Sequence, residues 1–171
     1  MKNGNKHNII LIGMPGAGKS TVGVVLAKRM GYRFLDSDLV IQERTGKLLY
    51  QLMEIHGLEG FLKIENQVNA SLDCDGYVIA TGGSVVYGRE AMDHLKDIGT
   101  IVYLKLPYRG IEERLGDLNA RGVALKPNQT LLSLYEERCP LYEQYADVVM
   151  ECGAKQVRTV VEELAKILKQ E

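Results

Sequence analysis

An α/β fold, with a parallel sheet covered on both faces by helices, is what this 171-residue sequence predicts. Two observations predict it. Short runs of β-prone residues alternate with longer stretches of helical period along the whole chain. Three polar clusters, at 13–20, 36–38 and 81–84, each follow one of those runs. Strands joined through helices make right-handed crossovers and so a parallel sheet in three layers. Such sheets take their ligands outside the carboxyl ends of the strands, so the three clusters are expected to meet at one edge.

The elements follow in order. Asn8–Ile12 is an apolar strand ending at Gly13. Lys19–Met30 carries Val22, Val25, Leu26 and Met30 at helical spacing and stops at Gly31. Arg33–Leu35 is a second strand. Leu39–Arg44, Leu48–Ile55 and Leu58–Leu72 read as a helical region punctuated by Gly46 and Gly57. Tyr77–Ala80 is a third strand, Arg89–Ile98 a helix, Thr100–Leu106 a fourth strand, and Arg109–Leu115 the start of another helix. Gly116–Pro127 has no period. Leu131–Tyr145 is helical, Asp147–Met150 a fifth strand, and Val157–Lys169 a closing helix. Nothing in composition divides the chain, so residues 1–171 are expected to form one domain.

Hydrophobic residues make up 46 % and charged residues 25 %, which is ordinary for a globular protein and excludes a disordered chain. The formal net charge is −1, with acids and bases interspersed, so neither a nucleic-acid nor a membrane partner is expected. Cys74, Cys139 and Cys152 are odd in number and lack zinc spacing, which reads as free thiols. The apolar run at the start is too short for a signal-peptide core or a membrane span. A cytoplasmic protein is the expectation.

The strongest chemical signal is Gly13-x4-Gly18-Lys19-Ser20, directly after a strand and opening a helix. Gly13, Gly16, Ala17 and Gly18 let the backbone wrap with its N–H groups facing phosphate oxygens, and the helix adds its positive end. Lys19 reaches the β- and γ-phosphates, Ser20 offers a hydroxyl to Mg²⁺, and Thr21 lies beside it. A glycine turn without a ligand is the plain alternative, and the strand–loop–helix context decides against it.

The second site decides what the nucleotide is used for. No Asn-Lys-x-Asp guanine motif is present. Asp36 and Asp38 stand i, i+2 at a strand end. One acid can serve hydrated Mg²⁺ while the other takes or orients a hydroxyl proton. A solvated turn in which Asp38 caps the next helix is the alternative, and proximity to the phosphate loop favours the catalytic reading.

At these residues the chain resembles the shikimate kinase family, from about Asn8 to Lys169. The segments that carry the resemblance are GMPGAGKST (13–21), FLDSDLVIQERTG (34–46), GLEGF..IE (57–65), ATGG (80–83) and ERCPLYEQYAD (137–147). The resemblance implies a P-loop kinase fold with a five-stranded parallel sheet, an acceptor-binding helical region at about 38–72, and a lid at about 116–127. It implies transfer of the γ-phosphoryl group of ATP, with Mg²⁺, to the 3-hydroxyl of shikimate by a monomer. By position, Asp38 matches the acid at the accepting hydroxyl and Asp36 its neighbour near the metal. Gly82 and Gly83 match the backbone contact to substrate, and Arg138 an arginine that binds the acceptor carboxylate. Arg114 matches the arginine against adenine, Arg121 the lid arginine over the phosphates, and Lys155 falls near the adenine loop.

Three departures stand out. Where the family has Phe-Arg-x-x-Glu, this chain has Phe61, Leu62 and Glu65, so one carboxylate-binding arginine is Leu62. The glycine triplet ends in Ser84. The lid reads Arg121-Gly122-Val123-Ala124-Leu125 in place of Arg-Pro-Leu-Leu. Loss of one charge-assisted contact is expected to weaken acceptor binding by about 2–4 kcal/mol and to leave Glu65 without a partner. Three readings follow: a shikimate kinase with altered carboxylate recognition, a related kinase acting on another small polyol or cyclic hydroxy compound, and a nucleotide-binding module without turnover. Lys19, Ser20, Asp36 and Asp38 together argue against the last.

Overall fold

The computed structural model describes residues 7–116 and 123–169. Five parallel strands lie in the order β2-β3-β1-β4-β5. They are β1 (Asn8–Ile12), β2 (Arg33–Asp36), β3 (Tyr77–Ala80), β4 (Gly99–Lys105) and β5 (Val148–Glu151). Among the described residues seven α-helices accompany them: α1 (Lys19–Met30), α2 (Ser37–Thr45), α3 (Leu49–Ala70), α4 (Arg89–Ile98), α5 (Tyr108–Leu115), α6 (Leu131–Tyr145) and α7 (Val157–Leu168). The three-layer architecture read from the sequence is therefore observed.

β1 is buried along its whole length because it is the centre of the sheet, paired with β3 on one side and β4 on the other. Its one polar residue is satisfied. The Asn8 side chain donates to the Cys74 carbonyl at 2.8 Å and the Ile98 carbonyl at 3.0 Å, and accepts from Tyr77 N at 2.9 Å. It thereby ties the feet of three neighbouring strands without leaving a buried polar atom unpaired.

Local chemistry sets the helix ends. α1 starts at Gly18, which is left-handed (φ 90°) and supplies no side-chain cap, so the first-turn amides remain available to a ligand. α2 is capped by Asp36, whose Oδ1 accepts from Asp38 N at 2.9 Å. The cap is thus Asp36 and not Asp38, and Asp38 is free to face elsewhere. α3 contains a break at Gly57 (φ 69°, ψ 179°), where the sequence predicts two segments. A 3₁₀ turn at Val85–Tyr87 was not expected. α4 begins at Gly88, which has no capping side chain, and Asn66 of α3 substitutes by accepting from Ala91 N at 2.9 Å.

The main core lies on both faces of the sheet. A second, smaller core joins Ile41, Leu52, Phe61 and Val68 of the helical region to Ala124. No helix among the described residues is long and apolar enough to cross a membrane.

Candidate active site

The carboxyl ends of β1, β2 and β3 open onto a cavity of about 570 Å³. All three polar clusters reach it. Gly16, Gly18, Lys19, Ser20 and Thr21 line its nucleotide-loop side, and Asp38, Gly82, Gly83 and Arg138 line the other. Gly13 and Ala17 stand behind the lining, and Asp36 is joined to it through Ser20, whose Oγ donates to Asp36 Oδ2 at 2.9 Å. A Cβ on Gly13 would sit 2.8 Å from the Leu104 carbonyl oxygen at a φ of 149°, so only glycine fits there.

Lys19 is buried, and its Nζ donates to the Gly13 and Met14 carbonyls at 2.7 and 2.8 Å. Burial lowers its pKa to about 8, against the opposing pull of Asp38, Asp36 and Glu65. Arg114 lies over the loop, with Nη1 3.3 Å from the Gly16 carbonyl oxygen and 3.5 Å from that of Ala17. Lys155 instead pairs with Glu163 at 2.8 Å and does not line the cavity. Arg121 lies outside the described residues.

Burial pushes the Asp38 carboxyl up to about 6, with Asp36 adding to the rise and Lys19 opposing it. Its Oδ1 is buried and has no hydrogen-bond partner among the described residues. A Cβ on Gly82 would lie 2.8 Å from that oxygen and 2.6 Å from Glu65 Oε2. Two carboxylates therefore converge on a residue that must lack a side chain. Gly83 is confined as closely. A Cβ there would meet Pro15 Cδ at 2.7 Å, and its carbonyl accepts from the Tyr142 hydroxyl at 2.5 Å.

Two of the three departures prove to be linked. Leu62 is half-buried, packs against the second core and does not line the cavity, whereas its neighbour Phe61 does. Glu65 is not left alone as the sequence reading expected. Ser84 Oγ donates to Glu65 Oε1 at 2.5 Å, so the residue that ends the glycine triplet partners the carboxylate that lacks an arginine. Sequence reasoning named both residues and missed their contact, because 19 positions separate them. It also missed Tyr87, which lies under the Arg138 guanidinium, since the 3₁₀ turn that aims it has no periodic signature.

Glu65 is pushed up to about 7, burial being the main cause, with Asp38 adding and the Ser84 bond, Arg138 and Lys19 opposing. Its ordinary value is 4.5. Between those values the folded state holds a proton that the unfolded state has released, so stability falls as pH rises through that window. Glu65→Gln is accordingly expected to raise the melting temperature at pH 8 and to leave it nearly unchanged at pH 4.5. At about 1.4 kcal/mol per pKa unit the gain is on the order of 1–3 kcal/mol, or several degrees. Thermal melts at both pH values check it, and an equal gap at the two would sink the assignment.

The donor set fits a hydrated Mg²⁺: a hydroxyl at Ser20 and a carboxylate at Asp36, hard oxygen ligands beside a phosphate loop. Among the described residues there is no group of three or more His, Cys, Asp or Glu side chains that would form an all-protein metal cage.

A phosphate loop, an acid across from it and a buried guanidinium at the far wall define a P-loop kinase, a phosphotransferase that uses ATP. The family model described as shikimate kinase matches residues 15–169. A shikimate kinase of Vibrio vulnificus is 39 % identical over 96 % of this chain and 98 % of its own length. One from Haemophilus influenzae is 34 % identical over 95 % and 93 %. Among solved structures, the Acinetobacter baumannii shikimate kinase in complex with shikimate superposes with a TM-score of 0.87 at 32 % identity, covering 97 % of this chain and 94 % of that one. The Aquifex aeolicus shikimate kinase gives 0.80 at 32 % identity, over 95 % and 96 %. The chain belongs to the shikimate kinase family.

Proposed function

We propose that this chain transfers the γ-phosphoryl group of ATP to a ring hydroxyl of shikimate, giving shikimate 3-phosphate. The observation that carries the reading is the unpartnered Asp38 Oδ1, buried at the cavity wall across from the phosphate loop. A buried carboxylate oxygen without a donor is costly, and an acceptor hydroxyl is the group that satisfies it.

In this scheme the loop amides at Gly16–Ser20 and the Lys19 ammonium bind the β- and γ-phosphates, with Gly13, Ala17 and Thr21 shaping the loop. Arg114 covers the nucleotide side. Ser20 and Asp36 hold Mg²⁺, which when bound supplies positive charge against the phosphate oxygens. Asp38 orients the acceptor hydroxyl for in-line attack and takes its proton late, since a loose transition state needs little early help from a base. Gly82 and Gly83 let the acceptor approach the backbone. Arg138 faces the acceptor carboxylate. It is 1 % exposed, and no carboxylate among the described residues forms an ion pair with it, so an anionic ligand is its natural complement. Arg121 adds charge from the lid at 116–127, and the helical region at 38–72 holds the acceptor. The chain acts as one cytoplasmic, monomeric kinase unit.

A coupled ADP-release assay tests the reading with shikimate, quinate, and neutral and acidic polyols. Turnover with shikimate well above the rest is expected. Leu62 favours the second reading, an acceptor of lower charge, and higher turnover with a neutral polyol than with shikimate would select it. No turnover with any of them would sink both.

A further inference from the structure

Arg138 is held by unusual means. Its Nη2 donates to the Ala124 carbonyl at 2.8 Å, and its Nε donates to the Tyr87 hydroxyl at 3.3 Å. The guanidinium carbon lies 5.3 Å from the centre of the Tyr87 ring. The Tyr87 hydroxyl accepts cleanly from Arg138 because its own proton is committed. It donates to Glu137 Oε1 at 2.6 Å. Glu137 also accepts from Lys126 Nζ at 3.2 and 3.3 Å and from Gln129 Nε2 at 3.1 Å. The chain Arg138–Tyr87–Glu137 thus runs from the acceptor pocket to Lys126 and Gln129.

The order of the groups has a physical point. A carboxylate placed directly on Arg138 would fix it firmly and neutralise it. A phenol hydroxyl fixes it without a countercharge, and Glu137 one step further polarises that hydroxyl into a better acceptor. Burial, helped by the Glu137 bond, raises the Tyr87 pKa, so the phenol stays neutral. The ring face below the guanidinium adds a cation–π contact that also leaves the charge available. Nη1 is left on the pocket side, 3.1 Å from the point a Cβ on Gly83 would occupy.

We propose that Tyr87 is a positioning residue of this enzyme: with Glu137 it fixes the plane of the Arg138 guanidinium and keeps its free edge turned to the acceptor carboxylate. The proposal rests on the reading of Arg138 given above. An arginine side chain otherwise loses rotamer freedom when it binds a ligand, and the Tyr87–Glu137 pair removes that freedom beforehand.

Tyr87→Phe keeps the ring and deletes the hydroxyl. Its KM for shikimate is expected to rise about 5- to 20-fold, with KM for ATP unchanged and kcat within about 3-fold. Glu137→Ala should match it, and the double variant should be no worse than either single one, because the two side chains act in series. Glu137→Gln, whose amide oxygen still accepts the phenol proton, should recover most of the loss. A second readout needs no turnover. The Arg138 Nε–Hε cross-peak in a ¹⁵N–¹H spectrum, assigned by its loss in Arg138→Lys, should be protected from water exchange in the wild-type protein and exposed in Tyr87→Phe. An acceptor KM within 2-fold of wild type, an equal rise in both KM values, or an unchanged Arg138 signal would each overturn the proposal. A wild-type protein inactive on shikimate whose Arg138 signal still depends on Tyr87 would refute the substrate assignment and leave the positioning role standing.

Discussion

Asp38→Asn is expected to lower kcat by about 10²- to 10⁴-fold, the usual contribution of a positioned acid or base, while the affinity for ATP stays within about 3-fold. The geometry separates the two effects. Asp38 contributes its backbone N–H to the Asp36 cap, and asparagine keeps that bond, so α2 and the Ser20–Asp36 contact survive. What is lost is the proton acceptor whose Oδ1 faces Gly82 at the cavity wall. The pH profile gives a second check. Asp38 is pushed up to about 6, and only its ionised form orients and deprotonates the hydroxyl, so wild-type kcat/KM for the acceptor should fall as pH drops through about 6. The residual activity of the variant should lack that limb. Isothermal titration with ATP and steady-state kinetics decide it, and a matched loss of nucleotide binding would make Asp38 a nucleotide ligand.

The second large effect is expected at Arg138. Arg138→Met keeps the length and the apolar stem but removes the guanidinium fork. Deleting one partner of a desolvated charge pair costs about 2–4 kcal/mol, so kcat/KM for shikimate should fall about 30- to 1000-fold with KM for ATP nearly unchanged. Leu62 sharpens this expectation. With an apolar residue there and packed outside the cavity wall, Arg138 is the cation among the described residues lining the acceptor end opposite Lys19. A fall of less than about 5-fold would mean that the acceptor carboxylate is read elsewhere.

What the sequence made legible was whatever rests on short-range pattern. The β1–loop–α1 unit could be read because a buried strand, a glycine-bearing turn and a helical period lie within 23 consecutive residues, Asn8–Met30. The convergence of Asp38 and Gly82 on the loop followed from strand topology, and both line one cavity. Pairings between distant positions were not legible. Leu62 and Ser84 read as two separate departures, and only the packing of α3 against the turn after β3 brings the Ser84 hydroxyl onto Glu65. Arg138 was found through its motif, but Tyr87, 51 positions away, carries no local mark of its task. Asp38 as a helix cap was a sound local alternative that failed by two residues, since the chain uses Asp36.

The resting contacts of Lys19 bear on how a trapped complex should be made. The ammonium is tied to the carbonyls of Gly13 and Met14, so it braces the loop that it also serves. Replacing it removes a strut as well as the proposed phosphate ligand, and an inactive Lys19 variant would confound a misshapen cradle with missing chemistry. Asp38→Asn leaves that strut untouched. It is the better choice for capturing both substrates together in a crystal.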